Sequence, residues 1–271
     1  MEAFVIIFFG ILGIIIGSFL NVVILRFNTG KGINGRSGCF TCGKPLSWHE
    51  LIPVLSYLVL RGKCFGCKSR ISKQYPLVEI VTGLLFAAIA YRILLPIDQM
   101  YSLITILNLT ISLFAASLLV VIFVYDLRHK IIPDVLSYTF AAVALSRLFL
   151  FYQGSIFNYP NFFDLLAGPL VALPFVALWY FSRGKWIGLG DGKLALGIGW
   201  FLGLAGAISA LCIAFWVGAL IGVGLILAQK YLPRRSRLSL KSEIPFAPFL
   251  ILGLLIVYFF PMDLFNIDLF L

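Results

Sequence analysis

The sequence predicts an all-α polytopic membrane protein of about eight transmembrane helices with a small cytoplasmic zinc-ribbon-like domain. Three observations predict it. Apolar stretches long enough to cross a bilayer recur along the chain. Nineteen of the 21 Lys and Arg residues fall in four short polar stretches between them. Two Cys-x-x-Cys pairs sit in the one long polar loop.

Composition sets the class. The 271 residues are 61% hydrophobic and 12% charged, with a mean hydropathy of +1.04. Soluble domains are about half apolar and about a quarter charged. A β-barrel needs alternating apolar and polar residues, and runs such as residues 117–125 (SLLVVIFVY) do not alternate. The net charge of +10 fits cationic loops that flank spans on the cytoplasmic side and meet anionic membrane lipid. No stretch reads as a nucleic-acid-reading module, so no nucleic-acid partner is expected.

The apolar segments cover residues 3–25, 76–95, 101–125, 135–152, 165–181, 194–228 and 246–260. The first begins Met1-Glu2 and ends at Arg26. It lacks the basic start and small-residue cleavage site of a secretory signal, so it is expected to stay as a span with its N-terminus outside. The sixth segment is too long for one span and is expected to fold as two, turning near residues 203–206. Eight spans place all four basic loops (26–75, 126–134, 182–193 and 229–245) on one side, which the positive-inside rule makes cytoplasmic. Seven spans would put the last one outside. Only Arg92 and Arg147 lie elsewhere. The expected domains are the first helix (1–25), a cytoplasmic four-cysteine domain (26–75) and a transmembrane domain (76–271).

The loop 26–75 is too small for a large core and needs a staple. Cys39, Cys42, Cys64 and Cys67 form two Cys-x-x-Cys pairs with 21 residues between them. Such knuckles hold four thiolates tetrahedrally around Zn²⁺, and each is followed by a turn residue, Gly43 or Lys68. The alternatives are disulfides, which a cytoplasmic face disfavours, or unligated thiols. Four ligands leave no open position, so the zinc is expected to be structural. Cys212 lies in an apolar run and reads as packing.

The carboxylates are few. Asp98, Asp164, Asp263 and Asp268 fall at outer boundaries. Asp126 follows the run 120–125 at the cytoplasmic mouth of the third span. Asp191 lies in Gly188-Leu189-Gly190-Asp191-Gly192, just before another span. A charge at the membrane edge is costly unless paired or functional. Two such aspartates can share one proton and activate water. Singly, Asp126 could pair with Arg128 or Lys130, and Asp191 could be a helix N-cap. Asp134, after Pro133, reads as an N-cap rather than a rival to Asp126. Glu79, inside the second span, is the other carboxylate of interest. With only His49 and His129 in the chain and no nucleophile motif, serine or cysteine hydrolysis is disfavoured. A proton-coupled transporter would use similar carboxylates but should show inverted repeats, and none is visible. A zinc-ribbon membrane adaptor would need the cysteine loop without the aspartates.

Taken together, these stretches resemble the type IV prepilin peptidases, the prepilin leader peptidase/N-methyltransferases, which are similar to other GxGD-type membrane aspartyl proteases. The matching segments are Gly17-Ser-Phe-Leu-Asn-Val-Val-Ile-Leu-Arg26, the four cysteines, residues 51–58 (LIPVLSYL), 61–64 (RGKC) and 71–79 (ISKQYPLVE). They continue with Asp126 through Ile132-Pro133-Asp134, then residues 188–193 (GLGDGK) and 244–249 (IPFAPF). One departure is Phe27-Asn28, where the family commonly has a proline. The resemblance implies that Asp126 and Asp191 are the catalytic pair and that the chain resides in a bacterial inner membrane. It implies that the substrates are type IV prepilins or type II secretion pseudopilins. Both cysteine pairs are present, as in the long bifunctional form, which implies N-methylation with S-adenosylmethionine. The sequence shows no glycine-rich fingerprint for that cofactor, so its site is unplaced. The alternative within the family is a peptidase without methyltransferase activity.

Overall fold

The computed structural model describes residues 2–30, 32, 35–94, 102–150, 160, 162–228 and 245–265. The basic cluster Lys230, Arg234, Arg235, Arg237 and Lys241 lies outside the described residues, as do Lys31, Asp98, Gln99, Asn158, Glu243, Ile244 and Asp268.

Eight α-helices are described: α1 (Glu2–Arg26), α2 (Leu55–Val59), α3 (Gln74–Leu94), α4 (Leu103–His129), α5 (Asp134–Leu150), α6 (Phe162–Ser182), α7 (Leu189–Ala228) and α8 (Ala247–Phe259). Among the described residues there is no strand, only two isolated β-bridges, Gly38 with Pro45 and Lys63 with Arg70. Among the described residues five helices, α1, α3, α4, α6 and α7, are long and apolar enough to cross a membrane. The shorter α5 and α8 are 17 and 13 residues. The all-helical class read from the sequence is therefore the observed one. The number of spans, eight, stays an expectation.

The chain divides into two units, residues 1–121 and 122–271. In the first, α1 packs along α3. Close approach is possible because a Cβ at Gly17 would lie 2.8 Å from Glu79 Cα, the small-residue contact that apolar helices use in lipid. Polar side chains fasten the end of this pair that meets the loop 26–75. Asn21, almost fully buried, donates to the Tyr75 carbonyl at 3.1 Å, and Gln74 donates to Asn21 at 3.3 Å.

In the second unit, α7 is the hub, packed against α5, α6 and α8. Its 40 residues are not one rod. Gly203 has φ 76° and ψ 174°, which breaks the helix within the interval where a turn was expected. Only glycine adopts this backbone without strain. A break inside an apolar helix leaves backbone groups that must find partners. Arg147 supplies one: its Nη1 donates to the Phe201 carbonyl at 3.2 Å while the guanidinium lies 4.8 Å from the Phe201 ring. In sequence Arg147 reads only as a charge near a span end; here it stabilises the break.

Candidate active site and metal centre

Helix α4 runs further than the sequence suggests. The apolar run stops at Tyr125, but nothing in Asp126-Leu127-Arg128-His129 breaks a helix. It ends only where Lys130 turns left-handed, φ 55°, a common helix stop. Asp126 therefore lies inside the last turn of α4 rather than beyond it. It is buried, 4% exposed. The Ala247 N–H, at the start of α8, donates to its carboxylate. Its Oδ2 is buried with no hydrogen-bond partner among the described residues. The pairing with Arg128 or Lys130 that was the plain alternative for Asp126 is absent among the described residues.

Asp191 sits in the first turn of α7 and is 9% exposed. Its own N–H donates to the Gly188 carbonyl at 3.3 Å, and the Gly188 N–H donates to its carboxylate. Asp126 lies near enough to act on it electrostatically. The glycines explain the approach. A Cβ at Gly190 would lie 2.9 Å from Ile132 Cβ, so only glycine lets the start of α7 pack against the 130–133 turn that follows α4. Helices α4, α7 and α8 thus bring two buried carboxylates into one electrostatic site in the second unit.

Asp134 takes a different place. It opens α5, its side chain is 63% exposed, and Lys193 Nζ lies 2.6 Å from its Oδ1. Lys193 also lies over the Tyr138 ring at 5.1 Å. The expected N-cap is thus an ion-paired residue that ties the start of α5 to the first turns of α7. Sequence reasoning misses that tie, because partners 59 residues apart leave no local signal. Glu79 belongs to the first unit. It is buried, and its Oε2 accepts the Val54 N–H at 2.7 Å. Val54 has φ 60°, strained for a β-branched residue. Glu79 reads here as an anchor for the loop 26–75.

The four cysteines converge. The sulfurs of Cys39, Cys42, Cys64 and Cys67 all lie within 4.8 Å of one another and can hold a metal ion. Cys39 Sγ and Cys67 Sγ are 3.8 Å apart. Tetrahedral Zn–S bonds of about 2.3 Å put sulfurs about 3.8 Å apart, so the donor set fits zinc. The two knuckles share one backbone design. Cys39 N–H donates to Lys44 O and Gly43 N–H to Cys39 O; Cys64 N–H donates to Ser69 O and Lys68 N–H to Cys64 O. Gly43 and Lys68, the turn residues noted in the sequence, are both left-handed at φ 70° and 61°. The Cys42 and Thr41 N–H groups aim at Cys39 and hold its thiol down to about 5. The Ser69 hydroxyl and N–H likewise lower Cys67. At Cys42 the Lys44 N–H pulls downward, but neighbouring Cys67 and Cys39 outweigh it and push the thiol up to about 11. Cys212 is half-buried and free of disulfide, apart from this cluster.

Comparison with known proteins agrees along the chain. Residues 11–93 match the bacterial peptidase A24 N-terminal domain, and residues 113–223 match the type IV leader peptidase family. The chain is 37% identical over 228 residues to a prepilin leader peptidase/N-methyltransferase of Myxococcus xanthus, covering 82% of this chain and 63% of that protein. It is 31% identical over 252 residues to the protein of that name in Bacillus subtilis, covering 92% of each. Against the Pseudomonas putida protein of that name it is 31% identical, covering 89% of this chain and 85% of the relative. No solved structure matches. With near full-length similarity to several such enzymes and both family regions in order, this chain belongs to the type IV leader peptidase family.

Proposed function

We infer that this protein cleaves leader peptides from type IV prepilins or pseudopilins at the cytoplasmic membrane face, as a multi-pass inner-membrane aspartic endopeptidase. The observation that carries the reading is the pair of buried carboxylates, Asp126 and Asp191, one with an oxygen that has no partner among the described residues. Two carboxylates held together in a low-dielectric site do not both ionise easily. One keeps a proton and serves as general acid. The other takes a proton from the water that attacks the scissile carbonyl. The tetrahedral intermediate then collapses as the acid protonates the leaving amine. The Ala247 N–H fixes the orientation of Asp126, and the Gly188 N–H that of Asp191.

The cysteine cluster is assigned to one structural Zn²⁺ held by Cys39, Cys42, Cys64 and Cys67. Zinc there cross-links the two knuckles and supplies folding energy to the loop. N-methylation of the new N-terminal residue with S-adenosylmethionine follows from the names of the relatives. The orientation, N-terminus outside and catalytic face cytoplasmic, follows from the distribution of basic residues. The test is to incubate detergent-purified protein with a synthetic prepilin peptide and look for the cut product by mass spectrometry. A single cut between leader and mature sequence is expected. An intact peptide under conditions that cleave it with a related enzyme would overturn the reading. Adding S-adenosylmethionine should shift the mature product by one methyl group.

A further inference from the structure

The polar loop of the first unit carries an apolar surface that none of the chemistry above uses. Trp48, Leu51, Leu55 and Leu58 recur at helical spacing through the turn before α2 and along it. They are 78%, 42%, 59% and 63% exposed, and the adjacent Val59 is 80% exposed. Scattered exposed apolar residues are ordinary, but five within twelve residues of a small polar loop point to an interaction surface.

Charge identifies the partner. Residues 26–75 hold nine Lys and Arg and one carboxylate, Glu50. That carboxylate is already engaged, accepting the Ser47 N–H at 2.8 Å and lying 3.4 Å from Lys44. The segment is thus apolar and set in an almost wholly cationic loop. An apolar protein surface would match the first property and leave the cations unmatched. An anionic bilayer surface meets both.

Tethering supplies the position. The loop is continuous with α1 at Arg26 and with α3 at Gln74, two helices long and apolar enough to span. Glu79, five residues into α3, holds the Val54 N–H, and α2 begins at the next residue. Five residues of helix rise about 8 Å. The start of α2 is therefore pinned alongside the first turns of a membrane helix, not out in solvent. Interfacial helices lie about 5–10 Å into the boundary between headgroups and acyl chains.

We propose that the segment from Trp48 to Val59 is an interfacial anchor that seats the four-cysteine loop on the anionic surface of the bilayer. Trp48 sits at headgroup level, as tryptophans at membrane interfaces do. Leu51, Leu55 and Leu58 face the acyl boundary, and the lysines and arginines meet the phosphates. The strained Val54, clamped by Glu79, sets the angle at which α2 leaves that contact.

The experiment uses the full chain in lipid nanodiscs of phosphatidylethanolamine and phosphatidylglycerol, with ordinary or brominated acyl chains. The difference in fluorescence between wild type and Trp48→Phe isolates Trp48 from the other four tryptophans. Trp48 emission should fall by about half or more with brominated lipid, the response of an interfacial tryptophan, and should resist iodide in the buffer. Quenching by iodide with no bromine effect would overturn the proposal. Protection from both quenchers would overturn it in favour of a protein cover. The exposed pair Leu55→Ser/Leu58→Ser should weaken bromine quenching of Trp48, and so should phosphatidylcholine discs. Undiminished quenching in the Ser pair would remove the apolar contact from the account, and undiminished quenching in phosphatidylcholine would remove the charge. Metal content of the Ser pair, unchanged, shows that the cysteine loop has kept its fold.

Discussion

At the scale of single residues, burial separates three aspartates, and the proposed chemistry rests on that separation. Asp126 and Asp191 are buried, whereas Asp134 is exposed and paired with Lys193. An exposed pair of this kind contributes about 0–1 kcal/mol. Asp134→Asn should therefore leave peptide cleavage within several-fold of wild type, measured by initial rates; loss comparable to that in the buried pair would give Asp134 a chemical role. As a pair, Asp126 and Asp191 were legible as candidates, although singly each had a plain structural reading, an ion pair or an N-cap. Their partners were not. The Ala247 N–H reaches Asp126 from a helix far along the chain, and the orphaned Oδ2 is a property of packing alone.

Among elements, helix α7 carries the two backbone features on which the second unit depends. Gly190 lets the α7 start lie against Ile132, and Gly203 breaks the helix. Gly190→Ala puts a methyl where Ile132 Cβ already lies. Overpacking of this kind costs about 1–3 kcal/mol, and it acts directly on the turn that carries Asp191. Thermal stability in detergent should fall, and cleavage should fall further than stability alone explains; unchanged cleavage would show that the approach is not needed. Gly203→Ala forces a positive-φ extended backbone, a region essentially reserved for glycine, on an L residue at about 1–3 kcal/mol. It should lower the melting temperature with a smaller effect on cleavage, since Gly203 is twelve residues from Asp191. Length and loop charge foretold that the long apolar segment would not run as one rod, and Gly203 breaks it where the turn was expected; that its halves are separate spans stays an expectation. Arg147 as its support was not readable, because a lone Arg near a span end looks the same whether it faces lipid headgroups or a freed carbonyl. The end of α4 lies a few residues beyond the apolar run for a related reason. Hydropathy falls at Asp126, but helical hydrogen bonding continues to His129.

For the whole molecule, sidedness and metal content are expectations drawn from charge and cysteine spacing. Single cysteines substituted at Lys130, Lys185 and Arg235 should label from the cytoplasmic side, and those at Gln99 and Asn158 from the outside. Labelling of Arg235 from outside would remove the eight-span topology. Purified, reduced protein should carry one zinc per chain, and Cys42→Ser should loosen the 26–75 loop to proteolysis; protein free of zinc by metal analysis would contradict the assignment. The four-cysteine cluster was legible in sequence because its cysteines come as two local knuckles, each fixed by its own turn. The methyl-donor site was not, since no local motif marks it. The central claim is that two aspartates at the membrane edge cut the substrate. Its most direct test is cleavage of a prepilin peptide by Asp126→Asn and Asp191→Asn, each purified from the membrane fraction and folded as wild type by thermal melt. Removing a general acid or base costs roughly 10²–10⁴-fold, so each variant should lose at least that much activity. Full activity in either one would contradict the account.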